Sequence, residues 1–107
     1  MAVKIRLSQD EVCACLLGDI DHHTARQMRE EIDAAIQRAQ PKHLVLDFRD
    51  VPFMDSSGIG LVMGRYRLML SFGGDVRLAN VPQRLQKVMR LAGLDKLAMM
   101  QDGGQDR

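Results

Sequence analysis

Tryptophan is absent, and one tyrosine and three phenylalanines are the only aromatic residues among 107. Phe48, Phe53, Tyr66 and Phe72 make a poor platform for stacking on bases, and three of the four fall in core patterns. Charge offers no compensating attraction. Fifteen Lys plus Arg against fourteen Asp plus Glu leave a formal charge of +1, with no basic stripe to follow a phosphate backbone. Direct binding to nucleic acid is therefore not expected. No apolar run approaches the length needed to cross a bilayer, and Met1-Ala2-Val3-Lys4-Ile5-Arg6 lacks the charged-then-apolar order of a signal peptide. The expectation is a cytoplasmic protein with no membrane partner.

Cysteine is equally sparse. Cys13 and Cys15 fall two apart on one face of a predicted strand, too close in sequence for an ordinary structural disulfide. They read as buried, reduced core residues. A metal site would need His22 or His23 as further ligands, and the spacing does not bring them together. At 107 residues the chain holds one core. Residues 1–100 are expected to form that domain, and Gln101 to Arg107, with no apolar content, a flexible tail.

What is present is a rhythm of short strands and amphipathic helices. Val3 to Leu7 alternates strictly, as an edge strand with one solvated face would. Gln9-Asp10-Glu11 is a polar turn, and Val12 to Leu17 a second, deeper strand closed by Gly18. A helix follows with Ala25, Met28, Ile32, Ala35, Ile36 and Ala39 on its buried side, stopped at Gln40-Pro41. Leu44 to Phe48 reads as a central strand covered on both faces. The next helix, from about Ser57 to Ser71, would bury Ile59, Val62, Met63, Tyr66 and Leu70. Val76 to Ala79 is a short strand. Pro82 opens a helix with Leu85, Val88, Met89 and Ala92 inward, and Leu97 to Met100 is a candidate last strand. The fold class is α/β, a mixed and mostly parallel sheet of four to five strands in which the first pair is antiparallel.

The stretch with most chemistry is Phe53-Met54-Asp55-Ser56-Ser57-Gly58-Ile59-Gly60, where a strand gives way to a helix. On local physics Asp55, Ser56 and Ser57 are capping residues. Ser57 would lie among free backbone N–H groups at the positive end of the helix dipole, an end suited to receive a phosphate. Glycine near a helix start is destabilising by about 0.5–1 kcal/mol relative to alanine, so Gly58 and Gly60 need reasons. Gly60 and Gly64 would pack on the sheet, and Gly58 would leave room for a partner's active site to reach Ser57. Catalytic frames fail. Asp55 and Ile59 stand where a nucleophile elbow needs glycine, no histidine is placed beside Ser57, and no phosphate loop or dinucleotide fingerprint is complete. Asp21 and Thr24 cap the first helix, and Asp19 to His22 should share one rim of the sheet with Asp55 to Ser57. Met54 would add an adaptable contact to that rim.

Gly18-Asp19-Ile20-Asp21-His22-His23-Thr24-Ala25, together with the serine motif and Gly64-Arg65-Tyr66, closely resembles the anti-sigma F factor antagonists of sporulation, in the STAS domain family. The similarity runs from about Val3 to Leu97. It implies a sheet with helices mainly on one face and a non-enzymatic switch. In that switch the unphosphorylated antagonist binds an anti-sigma factor that is also an ATP-dependent serine kinase, and the sigma factor is freed. The kinase phosphorylates Ser57, binding is lost, and a serine phosphatase restores it. ATP belongs to the partner, so no cofactor or metal is implied here. Asp21, Met54, Asp55, Ser56 and Gly58 are the implied contact positions. The resemblance also implies a further C-terminal helix, for which Asp102 to Arg107 carries no amphipathic pattern. Two alternatives stand beside this reading: the same phosphoswitch in a stress-response or other signalling complex, and a small-ligand-binding or hydrolytic α/β domain using the same rim.

Overall fold

The computed structural model describes residues 2–97. Four strands, β1 (Val3–Ser8), β2 (Glu11–Leu17), β3 (His43–Asp50) and β4 (Asp75–Ala79), form one sheet in the order β1-β2-β3-β4. The helices are α1 (His22–Ala39), α2 (Ser56–Ser71) and α3 (Gln83–Leu91), followed by a 3-10 turn at Leu94–Leu97. β1 pairs antiparallel with β2 through a tight turn in which Asp10 takes a positive φ of 65°. The pairs β2–β3 and β3–β4 are parallel, as the intervening helices require.

The order of the strands decides which face is covered. Each crossover steps one strand in the same direction, and crossovers of one hand then lay α1 and α2 on the same side. Val12, Ala14 and Leu16, Leu44, Leu46 and Phe48, and Val76 and Leu78 point to that side and are buried against Met28, Ile32, Ile36, Val62 and Met69. The alternate residues, Cys13, Cys15, Val45, Asp47 and Arg77, lie on the open face and are only half-buried. β3 is thus covered on one face, not two, and the cysteines are not core residues. Both remain free thiols.

The helix faces show where hydropathy misleads. α1 buries Met28, Ile32, Ala35 and Ile36, whereas Ala39 is exposed. α2 buries Gly58, Leu61, Val62, Arg65 and Met69. Of the expected face only Val62 is fully inside, and Leu70 is half-exposed. The inward stripe contains a charge, Arg65, whose Nε lies 2.7 Å from Asp33 Oδ1 of α1. The contact is an ion pair without hydrogen-bond alignment, and neither atom has another partner. Burial lowers the Arg65 pKa and raises that of Asp33, and each group partly offsets the other's shift. In α3, Leu85 and Met89 are buried while Val88 and Ala92 are exposed, and Pro82 is the N-cap. Leu97 ends the 3-10 turn instead of opening a strand. The rest of that expected strand and the expected tail lie outside the described residues.

Candidate functional site

Two loops leave the same end of the sheet and are joined by backbone. After β2, Gly18 turns with φ 90° and donates its N–H to Asp50 O at 3.0 Å. Ile20 then makes an isolated parallel bridge with Met54: Ile20 N–H donates to Phe53 O at 2.9 Å, and Asp55 N–H to Ile20 O at 3.0 Å. The residue after each bridge member is an aspartate, and each aspartate caps a helix. The expected shared rim is present, and this pairing builds it.

Asp21 Oδ1 accepts from the N–H groups of His23 and Thr24, both at 2.9 Å, and Thr24 Oγ1 accepts from Asp21 N–H at 2.9 Å. This capping box holds the Asp21 carboxyl below its ordinary pKa, the Thr24 backbone hydrogen bond foremost among the causes. At the second cap Asp55 Oδ1 accepts from Ser57 N–H at 2.8 Å, and Asp55 O from Gly58 N–H at 3.0 Å. α2 therefore begins at Ser56, and the Ser57 N–H is already satisfied by a carboxylate. That corrects the expectation of free donors around Ser57. A phosphate on Ser57 would share the start of α2 with the Asp55 carboxylate that already caps it.

Ser56 is exposed and Ser57 half-buried. Ser57 lies at a groove of about 360 Å³ between α1 and α2, lined by Ala25, Arg29, Gly60, Gly64 and Arg67 among others. Arg29 and Arg67 form no ion pair among the described residues, so the groove side of Ser57 is cationic while its cap side is anionic. Gly60 and Gly64 do not pack on the sheet. A Cβ on either would meet nothing within 4 Å, and both border this groove.

Gly58 has the packing role. It is buried, and a Cβ there would stand 2.2 Å from both Cγ and Sδ of Met54. Met54 is itself buried, so neither residue offers side-chain surface to a partner in this form. Phe53 does, at 56% exposure three residues before Ser56, and α3 steadies its loop through an Arg84 hydrogen bond to Pro52 O. Phe72 is also half-exposed, so Phe48 alone among the aromatics is fully buried. Pro52 was the sequence signal that could have placed Phe53 outside the strand and its core pattern.

Among the described residues no histidine hydrogen-bonds Ser57. His22 and His23 are exposed, and His43, at the opposite end of β3, has its Nδ1 2.9 Å from Asp75 Oδ1. The site thus offers a half-buried serine at a fixed helix start, with no histidine among the described residues hydrogen-bonded to it.

This combination of a mixed four-stranded sheet, helices on one face and a serine at a helix start on a shared rim defines a class. The chain belongs to the STAS domain family, whose profile matches residues 4–103. It is 39% identical over 87 residues to the anti-sigma F factor antagonist of Paenibacillus polymyxa, covering 81% of this chain and 74% of that one. Its fold matches the anti-sigma factor antagonist SpoIIAA in its unphosphorylated form, with TM-score 0.81 and 33% identity over 94% of this chain and 86% of that one. It also matches SpoIIAA of Bacillus in the phosphorylated form, with TM-score 0.75, 33% identity and coverage of 94% and 89%. No helix among the described residues is long and apolar enough to cross a membrane.

Proposed function

We propose that this chain is an anti-sigma factor antagonist that works by reversible binding, with Ser57 as its phosphoacceptor. The unphosphorylated rim binds an anti-sigma factor that is also a serine kinase, and the sigma factor is released. The kinase supplies ATP and the active site; this chain supplies the hydroxyl and no catalysis of its own. A serine phosphatase resets it, and the cycle runs in the cytoplasm without direct contact with nucleic acid. Asp21, Asp55, Ser56 and the exposed Phe53 are the contact positions, while Met54 and Gly58 act from beneath by fixing the helix start.

The observation that carries this reading is the half-buried Ser57 at the second position of α2, beside a groove and on a rim tied by the Ile20–Met54 bridge. Phosphorylation adds a charge of about −1.5 to −2 there, next to Asp55 and inside the contact surface. Binding would then require that charge to be desolvated, so affinity falls. The test is intact mass and site mapping after incubation with ATP and a cognate anti-sigma kinase. One phosphate on Ser57, absent in Ser57→Ala, is expected, with Ser57→Ala still binding the kinase and Ser57→Asp binding it more weakly. Phosphate on another residue, or undiminished binding by Ser57→Asp, would overturn the mechanism.

A further inference from the structure

The open face of the sheet carries a second cluster, unrelated to the serine rim. Cys13 and Cys15 project from β2, and the parallel register sets Asp47 of β3 directly beside Cys15. One sulfur from each cysteine and one Asp47 oxygen lie within 4.8 Å of one another, and Cys15 Sγ is 4.0 Å from Asp47 Oδ2. A tetrahedral Zn²⁺, with bonds of about 2.3 Å to sulfur and about 2.1 Å to oxygen, holds such ligands about 3.6–3.8 Å apart. Small side-chain rotations reach that spacing. We propose that Cys13, Cys15 and Asp47 form a site for a thiophilic divalent ion of the Zn²⁺ type, with water in the fourth position.

The surroundings of Asp47 are those of a positioned ligand. Its Oδ1 accepts from Arg49 N–H at 2.9 Å and from Asn80 Nδ2 at 3.1 Å, which fixes the carboxylate and leaves Oδ2 turned toward the sulfurs. On the other side Arg6 Nη2 lies 3.9 Å from Cys13 Sγ and 3.7 Å from Cys15 Sγ. Two thiolates and one carboxylate are balanced by a divalent ion together with this guanidinium. Each thiol releases its proton to water as its sulfur bonds to the ion.

A disulfide is the competing use of two near thiols. Residues two apart on one strand are separated by about 6.6–6.8 Å, at the upper limit of Cα distances that an S–S bond spans. An ion bridges the gap without bending β2.

The experiment titrates the full chain, stripped with chelator and kept under a non-thiol reductant, with Zn²⁺ and in parallel with Cd²⁺. One equivalent of each should bind, with ultraviolet absorption from thiolate–Cd²⁺ charge transfer. Cys13→Ser/Cys15→Ser should abolish both. Asn80→Gly suits the positive φ of 54° at that position and removes the amide that holds Asp47. It should weaken Zn²⁺ binding about ten- to a hundredfold at unchanged stoichiometry. Absence of the Cd²⁺ band in the native chain would overturn the site with no variant needed. So would zinc binding retained in the double serine variant, which would assign the ion to the exposed His22 and His23.

Discussion

Replacing Gly58 by alanine sets two effects of opposite sign against each other. Helix propensity alone favours alanine by about 0.5–1 kcal/mol. Packing opposes it, because the new Cβ would stand 2.2 Å from Met54 Cγ and Sδ, where carbon atoms ordinarily approach to about 3.5–4.0 Å. Met54 cannot retreat with its backbone, since hydrogen bonds on both sides tie it to Ile20. Its side chain must leave a buried rotamer, and overpacking of this kind costs about 1–3 kcal/mol. The two ranges leave a net loss between about 0 and 2.5 kcal/mol, centred at about 1 kcal/mol, or about 4–8 °C in Tm per kcal/mol lost for a domain of this size. Gly60→Ala is the matched control. It lies in the same helix with nothing within 4 Å of its Cβ, so propensity alone should act and stabilise by about 0.5–1 kcal/mol. Urea unfolding of both variants reads the difference. Equal stabilisation by the two substitutions would refute the packing argument.

The ion pair between helices gives a second test. Asp33→Ala strands the buried Arg65 guanidinium; the usual loss for a fully buried pair is about 3–5 kcal/mol, reduced to about 2–3 here because Asp33 is 28% exposed. Chemical denaturation should show that loss and its recovery in Asp33→Ala/Arg65→Met, and a single variant within experimental error of wild type would remove the pair from any account of stability. Asp21 supplies a pH test: its folded pKa lies below the ordinary value, so its contribution is complete above that ordinary value and disappears as pH falls through the lower, folded one. The stability gap between wild type and Asp21→Asn should therefore close on acidification, and a gap that widens would contradict the assigned cause.

Much of this architecture was legible because it rests on local rules. The alternation of strand and helix periods placed every described strand, Gln40-Pro41 ended α1, and the aspartates before His22 and Ser56 marked both caps. The errors share a cause in partners that are distant in sequence. Arg65 belongs to the buried stripe of α2 only because Asp33, 32 residues earlier, faces it, and hydropathy therefore rotated the helix toward Tyr66 and Leu70. Val45 looked like the second face of a fully buried strand, yet the one-directional strand order leaves that face open. The two glycine roles were exchanged because the Met54 side chain fills the space that sequence could not assign. Asp47 joined Cys15 only through the parallel register of β3, which no spacing along the chain encodes.

The same long-range pairing explains why the serine motif works as a unit. Ile20 and Met54 each bring an aspartate to the rim by their bridge, and each aspartate then starts a helix one residue later. The start of α2 is thus set by three constraints: the bridge behind it, Asp55 capping the Ser57 N–H, and Met54 packed against Gly58. A phosphate on Ser57, as proposed above, would therefore meet a scaffold with little freedom to move away from it. Repacking the helix start would break bridge, cap and core contact together, whereas changing the charge between Asp55 and the Arg29–Arg67 groove breaks none of them. Switching through the rim's electrostatics and desolvation, with the backbone unchanged, is the less costly route that this geometry provides.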